Sequence, residues 1–82
     1  MTNKNILKFE TPDFYLSAFL LSQRFKLLSI DKANPHKAIF VFQDKKDRQS
    51  FVEDFLFGRA IIEPKSFVSA IKELKQLLHS NL

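Results

Sequence analysis

Thr11-Pro12-Asp13-Phe14-Tyr15-Leu16-Ser17-Ala18-Phe19-Leu20-Leu21-Ser22-Gln23 is the stretch on which the reading of this 82-residue chain turns. The Thr11 hydroxyl can accept an orphan amide, Pro12 suits a first helical position, and the Asp13 carboxylate favours the positive end of a helix dipole. The pattern predicts a helix over residues 12–23. Spaced at about 100° per residue, it has one narrow polar stripe, Asp13, Ser17 and Arg24, with Ser22 and Gln23 scattered elsewhere. Phe14, Tyr15, Leu16, Ala18, Phe19, Leu20 and Leu21 cover nearly everything else. A helix apolar on most of its circumference requires burial on more than one side. Leu16 and Leu20 lie one turn apart and away from the Phe14, Ala18 and Leu21 side. Two readings of them stand open: an interface between copies of the chain, or shelter beneath the last helix.

Working outward, residues 4–10 alternate as a short edge strand. Residues 25–30 and 37–42 read as two further strands, joined by a polar hairpin loop over 31–36 that contains Asn34-Pro35. Ala38-Ile39-Phe40-Val41-Phe42 is apolar on both faces, which places it mid-sheet with each face covered by helix or by another subunit. Asp44 is the expected N-cap of a second helix supported by Asp47, and Gly58 is its left-handed stop. Phe51, Val52, Phe55 and Leu56 form its expected buried stripe; Phe57 projects to the other side, towards the following loop or a partner. Glu63-Pro64 opens a last, amphipathic helix running to about residue 79, with Phe67, Ala70, Ile71, Leu74, Leu77 and Leu78 on one arc. The order β-α-β-β-α-α predicts one α+β domain over residues 1–82. It holds a small three-stranded antiparallel sheet, third strand between the first and second, and three helices.

From Asp13-Phe14-Tyr15-Leu16 and Ala18-Phe19-Leu20-Leu21 onward, the chain resembles a family of short bacterial and phage proteins catalogued as a domain of unknown function. Phe40-Val41-Phe42, Val52-Glu53-Asp54-Phe55, and Pro64 with Phe67, Ala70, Ile71, Lys72, Glu73, Leu74 and Lys75 continue the likeness over residues 9–79. These are core and capping residues, so the resemblance implies a fold and no activity. It also implies a cytoplasmic setting and an accessory role in mobile elements. Glu63 departs from the pattern, since the shorter aspartate is the expected cap before Pro64.

Composition narrows function mainly by subtraction. Gly58 is the only glycine and cysteine is absent, which removes glycine-rich phosphate loops, thiolate metal sites and disulfides. His36 and His79 lack ligand spacing, and the adjacent carboxylates Glu53 and Asp54 point about 100° apart on a helix. The chain is therefore expected to be a non-enzymatic module without cofactor, metal, small-molecule substrate or membrane partner. Its formal net charge is +4 and its pI about 9.6. Arg24, Lys26, Lys45, Lys46, Arg48 and Arg59 are the candidate nucleic-acid contacts, with Lys65, Lys72, Lys75 and His79 on one side of the last helix as a further basic face. Leu16, Leu20 and Phe57 are the candidate interface. Two functions follow as expectations: sequence-tolerant nucleic-acid binding as a homodimer, and a protein-interaction module, such as an adaptor, inhibitor or assembly factor of phage type.

Overall fold

A computed structural model describes residues 7–80. Its elements are β1 (Lys8–Thr11), α1 (Phe14–Ser22), β2 (Leu27–Asn34), β3 (Lys37–Gln43), α2 (Arg48–Leu56) and α3 (Pro64–Leu78). The sheet order is β1-β3-β2 with both pairings antiparallel, so the doubly apolar strand is central, as its composition predicts. Residues 4–6 of the expected first strand lie outside the described residues.

Phe42 pairs with Phe9 and Leu27, and Phe40 with Thr11 and Ile30. These side chains share the face on which the core forms. Ile39 and Val41 project the other way, opposite Asp31 and between Glu10 and Ser29, outside the core cluster. The expected 31–36 loop is mostly strand. The ladder continues, with irregular register, to Asn34 opposite Lys37, leaving Pro35 and His36 as the turn. Asn34 Oδ1 accepts the His36 N–H at 2.9 Å and Asp31 Oδ1 the Ala33 N–H at 2.9 Å. Local Asx bonds thus shape a polar, exposed hairpin end whose composition resembles a loop.

The first helix starts one cap later than its sequence suggests. Asp13, not Thr11, is the N-cap: its Oδ1 accepts the Leu16 N–H at 3.0 Å, while Thr11 Oγ1 accepts the Asp13 N–H at 3.1 Å and Thr11 itself ends β1. The expected polar stripe is not a solvent face. Ser17 is fully buried and donates its hydroxyl to the Asp13 carbonyl at 2.8 Å, which satisfies it within the helix.

Leu16, Ser17, Ala18, Phe19 and Leu20 are all buried, and five consecutive residues exceed one 3.6-residue turn. The middle of α1 is therefore enclosed on every side. The sheet meets it through Phe14 and Phe40, whose ring centroids are 6.1 Å apart. Phe51 and Phe55 of α2 lie against Phe19, at 6.2 and 5.3 Å. Helix α3 packs along it, with Ala70 and Leu74 in the same core cluster. Leu16 and Leu20, at 4% and 0% exposure in a single copy, are consequently core residues rather than interface residues. Of the two readings, the one in which the chain's own helices shelter them holds.

The other caps also depart from expectation. Asp44 does not cap α2; Asp47 occupies that position without a side-chain bond, and Asp44 pairs instead with Arg48. Glu63, the residue that departs from the family pattern, does cap α3: its carboxylate accepts the Ser66 and Lys65 N–H groups at 2.8 and 3.1 Å. At the far end of α3, the Lys32 ammonium donates to the Leu77 and Ser80 carbonyls at 3.3 and 2.9 Å. A cation from β2 thus meets the negative end of the helix dipole and ties α3 to the sheet. Leu56 leaves the expected α2 stripe and is exposed.

Leu20→Ala should destabilise the monomer by about 2–5 kcal/mol, because it opens a cavity inside the ring of covering elements. The shift in urea midpoint at unchanged slope measures it; a loss well below 1 kcal/mol would contradict the enclosure of α1.

Candidate nucleic-acid interface

Sheet register brings three separate segments to one end of the molecule. Lys8 pairs with Gln43, the Gln43 N–H donates to the Lys26 carbonyl at 2.9 Å, and the Asp44 N–H donates to the Leu7 carbonyl at 2.9 Å. Arg24 and Phe25 arrive at the same end through the turn that closes α1. Lys45 crosses back over it, its ammonium 4.2 Å from the Phe25 ring centroid.

Five of the six basic residues singled out by sequence therefore converge: Arg24, Lys26, Lys45, Lys46 and Arg48. Arg59 does not; it follows the far end of α2, about 13 Å away along the helix, and pairs with Asp54 at 3.3 Å. Lys8 joins the cluster and was missed, because its place depends on which residue of β3 it faces. The pole holds six cations and the two carboxylates Asp44 and Asp47, an excess of four positive charges. The other described residues carry six cations and seven carboxylates, so no further positive excess lies among them.

The cations are held differently. Arg48 is committed: its Nε and Nη2 donate to Asp44 Oδ1 and Oδ2 at 3.0 and 3.3 Å, and its guanidinium lies 4.3 Å over the Phe9 ring. It neutralises Asp44 and leaves Arg24, Lys26, Lys45, Lys46 and Lys8 to face outward. Phe9 and Phe25 both pack in the core, so each ring gives one surface to the interior and another to a cation.

Elsewhere, Phe57 is exposed as one of its two expected fates allowed, with the Arg59 guanidinium 5.4 Å from its ring. Glu53 and Asp54 have separate partners, Gln49 and Arg59, and do not converge. Among the described residues no group of three His, Cys, Asp or Glu side chains is placed to hold a metal ion, and no helix is long and apolar enough to cross a membrane.

The Arg48 hydrogen bonds hold the Asp44 carboxyl below its ordinary value of 3.8, aided by the Lys45 N–H and the arginine charge and opposed by desolvation. Glu63 is likewise lowered, first by the Ser66 N–H, then by the Lys65 N–H and the Ser66 hydroxyl. A carboxyl whose folded value is depressed contributes stability above its unfolded value and loses it as pH falls through the folded one. Asp44→Asn should thus cost less than about 1 kcal/mol near neutrality, as expected of a partly exposed pair. The difference from wild type should close as pH drops below 3.8. Urea midpoints across that range test it, and a gap that widens with acid would refute it.

No curated protein and no solved structure matches the chain. A family match does exist, and it spans residues 7–80, from β1 through the C-terminal end of α3. With nearly the whole fold covered, the chain belongs to the family described as a domain of unknown function (DUF5659).

Proposed function

We propose that this domain is a cytoplasmic, non-enzymatic module that binds nucleic acid through the phosphate backbone, with the pole formed by residues 8, 24–26 and 45–46 as its contact surface. One observation carries this reading: a chain that mixes its charges along the sequence folds so that the positive excess of its described residues lies at one end. Such a focused potential attracts polyanions, and contacts to phosphates alone carry no base preference. Binding is therefore sequence-tolerant and driven by counterion release. A fluorescence anisotropy titration of a labelled mixed-sequence duplex should show log affinity falling against log salt with a slope of about −3 to −4, for roughly four neutralised phosphates. Lys45→Ala/Lys46→Ala should reduce that slope by about two. No affinity at low salt would end this reading.

A second reading, as a protein-interaction module, is favoured by a different surface. Leu56, Phe57 and Ile61 are 60%, 68% and 90% exposed where α2 gives way to the connection into α3. With Leu16 and Leu20 interior, the homodimer form of the proposal rests on these three residues. Mass in solution should then rise with concentration in the wild type and stay that of a monomer in Phe57→Asp. A wild type that stays monomeric at high concentration argues against self-association through this surface.

A further inference from the structure

Two helices of this chain end in the same hydrogen-bonded turn but place different residues at its left-handed position. After α2, Gly58 has φ +74°; its N–H donates to the Phe55 carbonyl at 3.4 Å, and the Arg59 N–H to the Asp54 carbonyl at 2.8 Å. After α1, Arg24 has φ +70°; its N–H donates to the Leu21 carbonyl at 3.0 Å, and the Phe25 N–H to the Leu20 carbonyl at 3.0 Å. Both are Schellman ends, in which the left-handed residue is usually glycine because a Cβ there crowds the following carbonyl. Arg24 alone among the described non-glycine residues has a positive φ.

Nothing in the turn calls for the arginine side chain. Both turn bonds are made by backbone groups, the side chain is exposed, and among the described residues no carboxylate pairs with it. A strained position kept without a local structural return points to a use outside the turn. We infer that Arg24 occupies this position for its guanidinium, which contacts a phosphate of the bound nucleic-acid backbone. The inference rests on the reading of the basic pole and names the residue on which that pole is anchored. Arg24 and Lys26 flank the buried Phe25, whose ring carries the Lys45 ammonium. Lys45 from a second segment thus meets a buried ring whose chain neighbours are two further cations, and two backbone hydrogen bonds fix the turn that carries Arg24 at the end of a core helix. A planar guanidinium in that place offers a phosphate two parallel donors, which a lysine cannot.

The decisive variant is Arg24→Gly, because relief of strain separates loss of contact from loss of fold. Thermal melts and anisotropy titrations with a labelled duplex of about 20 base pairs should be run on the wild type, Arg24→Gly and Lys37→Ala, the last being at the start of β3, the end opposite the pole. Arg24→Gly should melt higher by about 2–5 °C. It should nevertheless bind about 5- to 10-fold more weakly near 0.1 M salt, with a salt slope shallower by about one. Lys37→Ala should bind as the wild type does. Wild-type affinity and slope in Arg24→Gly would overturn the inference while leaving the basic pole standing, and a lower melting temperature would remove its argument from strain. A wild type without affinity at the lowest salt would overturn the reading of the pole itself.

Discussion

Burial of α1 around its whole circumference is the constraint from which the rest of this fold follows. A helix carrying Phe19 and Leu20 on different sides and no lasting polar stripe cannot lie on a sheet with one face in water. The sheet covers part of it through Phe40 and Phe42, and two further helices close the remainder. In a chain without disulfides, this arrangement concentrates nearly all the buried apolar surface around one element. Ser17 shows how strict the enclosure is: with no exposed surface, its hydroxyl turns back to its own helix.

Much of the fold was legible because it depends on period and punctuation. Element order, the central place of the 37–42 strand and the starts of the last helix and the stop at Gly58 all come from local signals that tertiary packing reinforces. The differences at the helix caps share a cause: each concerns a choice between neighbouring groups of similar chemistry. Thr11 and Asp13 can both cap, and the strand claims the first while the helix takes the second. Asp44 offers a cap, yet Arg48 one turn away competes for it and wins with two hydrogen bonds. Glu63 is long for a cap, but its two oxygens reach two amides and a hydroxyl. Whether Leu16 and Leu20 meet a second copy or α3 is a question of where a helix 50 residues later lies, and periodicity within α1 holds no information about that.

The charge distribution was hidden for a related reason. Along the chain, lysines and arginines alternate with carboxylates, and no run of like charge marks a ligand surface. Antiparallel pairing then sets the start of β1 beside the end of β3 and the start of β2, so residues 8, 26 and 45, far apart in sequence, become neighbours. Glu53 and Asp54 on α2, Glu63 at the cap of α3 and Glu73 within it lie outside the pole and balance basic residues on and beside those helices. A patch assembled by register is invisible until register is known: Lys8 enters it only through its pairing with Gln43, and Arg59 lies beyond the far end of α2.

The same residues that enclose α1 also position the pole, and this links stability to any role the charges have. Phe9 and Phe25 each turn one surface to the core and the other to a cation, Arg48 and Lys45 respectively. The cations are therefore not on free stems over a mobile loop; their resting places are defined by rings that the interior holds still. A flexible lysine gives up about 2 kcal/mol of rotamer freedom when a contact fixes it, and a ring that already favours one position lowers that cost before a ligand arrives. The physical consequence is that core substitutions near Phe25, such as at Phe51, whose ring lies 5.3 Å from it, act on the pole as well as on the fold. In so small a domain the basic pole and the hydrophobic core are two sides of the same aromatic residues.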